Sequence, residues 1–396
     1  MSWAIITLTR NSLHLGLGVK EALEDQGEVY APQKIIDSVK DVAGEGKGLE
    51  NFKDLDNLMD FNVKPTAEPF KSFIKSIYKQ YDGLIFIMAA GIVVRSLEGL
   101  LEHKSKDPAV IVMDEKGAFI IPILSGHLGG GNEMAMILGD RLKATPVITT
   151  ASDVQGKMAV DMLAKNLGFA FDDFNAATKL SGKIVNNEEV TVFTEIPLPE
   201  WVGKYIPVVL CDKDQLINRA LEYTGGGILV SNRNLKQGIE SKYEDELESN
   251  YEEVAESKYE KKPMIQLYPK NLIIGIGARK HVSGAHVRNS IKTILQEFGF
   301  SPLSIKHFAT VDVKEKEAGI LKGIEGFKRP LKIITREEIK TVEAHFEGSE
   351  FVEKTIGVKA VAEPVAYLSS EKDGEFLLRK RKINGLTLAL WKENCH

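Results

Sequence analysis

The chain has 396 residues, 43% of them hydrophobic and 27% charged, with a formal net charge of −5. Such a length holds roughly two to four domains, and the apolar share supplies more than one core. The near-neutral balance gives no general case for nucleic-acid binding, and the distant Cys211 and Cys395 exclude a disulfide framework. No apolar run reaches the roughly 18–20 residues of a membrane helix, and Met1 to Arg10 is too short and polar for a signal peptide. A cytoplasmic location without membrane attachment is therefore expected.

Residues 3–8 read as a strand, and 13–23 carry helical spacing. A helix over 70–78 leads to the apolar strand 84–88, then to Gly91 and a helix over 92–101. Residues 110–113 and 118–121 flank Asp114-Glu115-Lys116-Gly117, a turn that predicts a hairpin. A run of four glycines around His127 comes next, then a helix to about Leu142, a strand over 146–149 and a helix over 158–167. Farther on come a helix over 174–182, strands over 190–194 and 208–210, and Gly225-Gly226-Gly227 entering Ile228-Leu229-Val230. Residues 240–262 hold nine acids and four bases, with Ser-Lys-Tyr-Glu repeated at Ser241 and Ser257, and read as a solvated helix or connector.

A third block opens at Asn271 with a strand through Gly277. Helix 287–298, strand 305–309, helical 315–324 and strand 331–334 come after it, then strands 376–379 and 386–391 around a basic turn. The alternation predicts an α/β, multi-domain chain of mixed or parallel sheets flanked by helices, with a separate α/β C-terminal domain. The expected boundaries are an N-terminal domain over 1–150, a central variable region over 151–239, an acidic connector over 240–268 and a C-terminal domain over 269–396.

The stretch Ser125-Gly126-His127-Leu128-Gly129-Gly130-Gly131-Asn132-Glu133 is the leading candidate site. Glycines let backbone close tightly on a ligand, and the helix after them would aim unpaired N–H groups at an anion. Histidine as a residue type titrates near neutrality, as a general acid or base must, which makes His127 a candidate, with Glu133 nearby; Glu133 equally suits complementing the helix dipole. Ala90, Gly91 and Arg95 come after strand 84–88, where ligands bind in open sheets, although Arg95 in a plain strand–helix connection would simply face solvent. Thr149, Thr150 and Asp153 offer hydroxyls and a carboxylate, with helix capping as the alternative. Gly275-Ile276-Gly277 begins a dinucleotide fingerprint, but Lys280 stands in place of its third glycine. A tight turn placing Arg279 and Lys280 near an anion fits better. Thr310 and Asp312 come after a strand and suit ligand contact or capping. His281 and His286 miss the spacing of a metal pair on one helical face, so no metal is expected.

Several stretches together resemble one family, the cobalt-precorrin-5A hydrolases (CbiG) of anaerobic cobalamin biosynthesis. They are Ile87 to Arg95, Asp107 to Val110, Asp114 to Gly117, Leu124 to Gly130 with Asn132-Glu133, and Ala144 to Ala151 with Asp153. Farther along, Gly275 to Gly277, Ala309 to Lys314 with Glu317 and Gly319, and Gly357-Val358 with Ala362-Glu363 match the family's C-terminal domain. Gly284-Ala285-His286 departs from the acidic residues that usually open that helix.

The resemblance implies hydrolysis of the δ-lactone of cobalt-precorrin-5A, giving cobalt-precorrin-5B and acetaldehyde. It implies a corrinoid substrate that carries its own cobalt, so no separate cofactor. Assembly as a homodimer, or transient contact with other cobalamin-pathway enzymes, is the expected association. Under this reading His127, Glu133 and Asp153 carry the chemistry. Ala90, Gly91, Arg95, Ser125, Gly126, Gly129, Gly130, Asn132, Thr149, Thr150, Gly277, Arg279, Thr310, Asp312 and Glu363 hold substrate. A non-catalytic carrier of the same intermediate is the other reading, and acetaldehyde release separates the two.

Overall fold

The computed structural model describes residues 1–45, 62–103, 106–212, 215–235 and 262–395. It divides into two compact units, Met1–Gly156 and Lys157–His396. Three sheets run through them, each flanked by helices.

The first unit holds a seven-stranded sheet in the order β3-β2-β1-β4-β5-β6-β7. Strands β1 (Trp3–Thr7), β2 (Gly27–Ala31), β3 (Lys64–Pro65), β4 (Gly83–Ile87) and β5 (Ala109–Met113) are parallel. Strand β6 (Phe119–Leu124) turns back antiparallel to β5 through the expected hairpin, and β7 (Thr145–Pro146) lies parallel to β6. Along β4, Ile85 and Ile87 enter the core on one face, while Leu84 and Phe86 enter it on the other. The strand is therefore apolar throughout, as burial on both faces requires, and each such side chain contributes about 1.5–3 kcal/mol.

Helices α1 (Arg10–Ala22), α2 (Gln33–Glu45), α3 (Phe70–Ile77), α4 (Ala90–Ser96), α5 (Gly131–Leu142) and α6 (Ala151–Val154) complete this unit. The helix expected over 92–101 ends at Ser96, and Gly99 then takes a left-handed conformation. The strand expected over 146–149 shrinks to Thr145–Pro146, because proline cannot donate to a ladder and this is the sheet's edge.

The second unit opens with α7 (Val160–Leu167), β8 (Phe169–Ala170) and α8 (Phe174–Val185). Then come β9 (Val190–Thr194), β10 (Val208–Leu210), α9 (Leu216–Glu222), β11 (Gly226–Val230) and β12 (Met264–Pro269). These strands form a sheet in the order β10-β9-β11-β12-β8, with only β8 antiparallel to its neighbour. Residues 240–261 of the expected acidic connector lie outside the described residues. Its final stretch is corrected: 264–268 belong to β12, whose Ile265 and Leu267 are buried beside β11.

The C-terminal sheet has the order β15-β14-β13-β17-β16. It contains β13 (Leu272–Ala278), β14 (Ile305–Val311), β15 (Leu331–Ile334), β16 (Gly374–Ile383) and β17 (Leu386–Glu393). Helices α10 (Gly284–Glu297), α11 (Ala318–Ile324), α12 (Arg336–Val342), α13 (Glu350–Ile356) and α14 (Ala362–Leu368) surround it. The basic residues expected in the last turn lie within β16 instead. The turn is Asn384-Gly385, both with positive φ (42° and 83°), the pair favoured by a two-residue hairpin.

Candidate active site

The hairpin decides where the site lies. Because β6 reverses direction, Leu124 pairs with Val110 at the amino end of β5. The loop after β6 therefore returns to the amino-terminal edge of the parallel strands. Ala90, Gly91 and Arg95 come after β4 and sit at the opposite, carboxyl edge, where all three are exposed. Arg95 Nη1 donates back to the Gly91 carbonyl at 3.2 Å. The structure thus does not bring Arg95 to His127.

Within the loop, Ser125 takes a positive φ and its hydroxyl donates to the Asp107 carbonyl at 2.8 Å. A Cβ on Gly129 would lie 2.6 Å from Ser125 Cβ and 2.7 Å from its carbonyl oxygen, so only glycine fits there. Gly130, with φ +78°, turns the chain into α5. The loop uses much of its own donor capacity. The amides of Gly130, Gly131 and Asn132 donate to the carbonyls of His127, Ser125 and Gly126 at 3.1, 3.3 and 3.0 Å. Against expectation, these amides are engaged within the loop, closing the amino end of α5 from inside.

What the loop presents is a side-chain cluster. His127 Nε2 lies 3.0 Å from Asp153 Oδ2 and 3.3 Å from the Ser152 hydroxyl. Asn132 Nδ2 donates to the same Asp153 oxygen at 2.7 Å and to Thr150 Oγ1 at 3.1 Å. The His127 side chain is 14% exposed and that of Asp153 38%, so the pair is reachable but partly shielded. These contacts tie loop 125–132 to the segment that runs from β7 into α6. Thr149 is exposed beside them, and Glu133 is exposed in the first turn of α5. An imidazole held by a carboxylate can take a proton and have the resulting charge stabilised in place. Ser152 does not complete a nucleophilic triad, because it and Asp153 share one ring nitrogen rather than opposite ones.

A cleft of about 600 Å³ adjoins this loop at Leu128 and Gly129. Lys79, Tyr81, Asp82, Glu102, Lys106 and Asp107 line it, together with Met1 and Pro108. Glu102 pairs with Lys79 and lies 4.0 Å from Lys106. Apart from Asp107 and Pro108, these residues belong to no stretch singled out in the sequence. They meet because they cluster at the amino ends of β4 and β5.

The C-terminal candidates gather at the carboxyl ends of β13 and β14, where each has a partner. Thr310 Oγ1 donates to the Ile276 carbonyl at 2.7 Å, and Asp312 lies 3.2 Å from Arg336 Nε. Arg279 stacks over Phe351 at 5.6 Å. Glu363 is buried at 4.0 Å from Arg379, and burial raises its carboxyl above the usual range against the pull of Lys380 and Arg379. Gly277 packs on Val361, where a Cβ would sit 3.4 Å away. Among the described residues no group of three or more His, Cys, Asp or Glu side chains is arranged to hold a metal ion.

Three family descriptions match the chain: "Cobalamin synthesis G N-terminal" over residues 72–153, "Cobalamin biosynthesis central region" over 158–241 and "Cobalamin synthesis G C-terminus" over 272–391. A "Cobalt-precorrin-5A hydrolase" of Priestia megaterium is 32% identical over 385 residues, covering 96% of this chain and 92% of that protein. The chain belongs to the cobalt-precorrin-5A hydrolase family. A second protein of that name, from Salmonella typhimurium, is 32% identical and covers 81% of this chain and 85% of its own length. A crystal structure of a putative cobalamin biosynthesis protein G homolog from Sulfolobus solfataricus is 20% identical, covers 99% of this chain and 97% of that one, and superposes with a TM-score of 0.34. His127, Asn132 and Asp153 all fall within the family's N-terminal segment, and Asp312 and Glu363 within its C-terminal one.

Proposed function

We propose that this hydrolase opens the lactone of cobalt-precorrin-5A at His127, in the glycine loop, with the substrate held at the cleft that Leu128 and Gly129 line. The activity itself comes with family membership along almost the whole chain. It consumes water, converts cobalt-precorrin-5A to cobalt-precorrin-5B and releases acetaldehyde. The single observation that carries the site assignment is the His127–Asp153 contact at 3.0 Å, in the loop whose Leu128 and Gly129 line a cleft.

In this reading His127 takes a proton from water as the water oxygen attacks the lactone carbonyl. Asp153 stabilises the imidazolium, and Asn132 holds Asp153 in place through its 2.7 Å hydrogen bond. Ring opening yields a carboxylate and a hydroxyl on the methyl-bearing carbon. When that hydroxyl loses its proton, its carbonyl forms, the carbon–carbon bond to the macrocycle breaks, and the macrocycle takes up a proton. Acetaldehyde leaves. Lys79 and Lys106 supply cations for the acetate and propionate groups of the substrate at the cleft, with Ser125, Gly126, Gly129, Gly130, Thr149 and Thr150 as the adjoining wall.

We also propose that the cobalt arrives with the substrate and that no separate cofactor takes part. A cytoplasmic location, and a homodimer or transient contact with other enzymes of the pathway, complete the proposal. No helix among the described residues is long and apolar enough to cross a membrane. The test is to mix purified protein with cobalt-precorrin-5A and assay acetaldehyde. Stoichiometric release that His127→Gln abolishes supports the assignment. Substrate binding without release would instead make the chain a carrier.

A further inference from the structure

A second cavity, of about 420 Å³, lies wholly within the unit Lys157–His396, where the amino ends of β13, β14 and β15 meet β8. Its size is in the range of small-molecule pockets. Its lining is strongly cationic. Lys270, Lys306, Lys328, Arg329 and Lys372 contribute to it, against the single carboxylate of Glu393.

That carboxylate is already committed. Glu393, almost fully buried, accepts from Lys306 Nζ at 2.8 Å, from the Glu371 amide at 2.8 Å and from the Ser370 hydroxyl at 3.1 Å. Lys306 in turn pairs with Glu371 at 2.8 Å. The other four cations pair with no carboxylate among the described residues. Arg329 is pinned by Nη2 donating to the Leu303 carbonyl at 3.0 Å, while its buried Nε has no hydrogen-bond partner among the described residues. Burial holds the Lys270 ammonium below the usual lysine range, and the neighbouring Arg329 pushes the same way. Of these four cations, Arg329 is half-buried and held in place, while Lys270, Lys328 and Lys372 are exposed. Cations of one sign gathered around a cavity attract anions, and arginine and lysine together suit carboxylate and phosphate oxygens.

We propose that this cavity binds a small multivalent oxyanion, one carrying at least two carboxylate or phosphate groups. The cavity shares no lining residue with the cleft at Leu128 and Gly129. Monovalent anions would engage only one of the four cations and bind weakly.

Calorimetric titration of the full chain with citrate, pyrophosphate and acetate tests this. Saturable binding of citrate or pyrophosphate, with acetate at least tenfold weaker, is the expected result. A tenfold preference between the first two assigns the source to carboxylate or to phosphorylated metabolites. Lys270→Gln and Lys372→Gln should each weaken binding by about tenfold, the loss of one charge-assisted contact. Both variants should leave acetaldehyde release within twofold of the parent, so this proposal and the hydrolase reading fail separately. Absence of saturable binding by either polyanion, or binding unchanged in both folded variants, would overturn it. Arg329→Gln is the more severe variant, and an unfolded product there leaves the two lysine variants to decide.

Discussion

The glycine loop after β6 and the glycine pair in β13 look alike in sequence, yet the structure uses them for opposite ends. In the first, Gly129 and Gly130 fold the backbone so that His127 meets Asp153, while Leu128 and Gly129 line a cleft. In the second, Gly275 makes room for α14, since a Cβ there would lie only 1.9 Å from the Ala362 carbonyl oxygen, whereas one on Gly277 would make ordinary contact with Val361. The histidines differ in the same sense. His127 has a carboxylate partner and partial exposure, whereas His307 is buried against the Ser369 hydroxyl at 3.0 Å. Glycine content alone therefore marks close approach of something. Whether a ligand or a helix approaches depends on the element that packs over each strand's end.

The sharpest way to break this contrast is to remove the imidazole. His127→Gln should lower acetaldehyde release by about 10²–10⁴, the usual worth of a general base, with little change in melting temperature. Asp153→Asn should cost less, about tenfold, because the base remains and only its stabilising charge is lost. The reciprocal variant, Gly275→Ala, should act on stability. Overpacking against fixed backbone costs about 1–3 kcal/mol or more, so thermal melting should shift down markedly while the folded fraction keeps its rate. If Gly275→Ala melts like the parent but loses activity, the two regions have been assigned the wrong way round.

Much of the fold is legible in the sequence. The strands over 190–194, 208–210 and 331–334 stand as the alternation predicts, and the hairpin around Asp114 to Gly117 forms. The pairing of the glycine loop with the segment Thr149 to Asp153 also appears in space, although a long helix separates them in sequence. Placing Arg95 in the same site conflicts with that hairpin, because a reversed strand returns its loop to the far edge. Lys79, Asp82, Glu102 and Lys106 escape a sequence reading, since topology and no local pattern gathers them. Strand β12 is hidden because Gln266 and Tyr268 interrupt its apolar run and a charged stretch precedes it. Gln266 is nevertheless buried, with Oε1 accepting from the Leu235 amide at 3.1 Å.

A pH titration of stability sharpens the contrast between the histidines. Burial pushes His307 down to about 4, helped by Lys332 and Lys306. The unfolded chain binds a proton near pH 6.5, while the folded state refuses it until about 4. Stability should therefore be constant above about pH 6.5 and fall as pH drops from there toward 4, by on the order of 3 kcal/mol from this residue. Chemical denaturation at stepped pH measures it, and His307→Gln should flatten that window. Carboxylates held low by lysines act farther down. Glu28, lowered to about 2 chiefly by Lys64, withdraws its contribution only below the ordinary glutamate range. An unchanged slope between pH 6.5 and 4 in His307→Gln would show that the buried ring is not what senses acid.

The smallest effect should come from the C-terminal carboxylate that sequence placed among the ligand contacts. Asp312 is about one-third exposed and lies 3.2 Å from the similarly exposed Arg336. A pair so accessible to water is worth at most about 1 kcal/mol, and salt screens it further. Asp312→Asn should thus move the melting temperature by a degree or two and leave acetaldehyde release within twofold. The result discriminates because the two roles predict opposite readouts. A helix-edge ion pair loses a little stability and no rate, and Arg336→Gln should reproduce that loss without adding to it in the double variant. A substrate contact would instead raise KM at constant stability, and Arg336→Gln, which frees the carboxylate from its partner, would not mimic it.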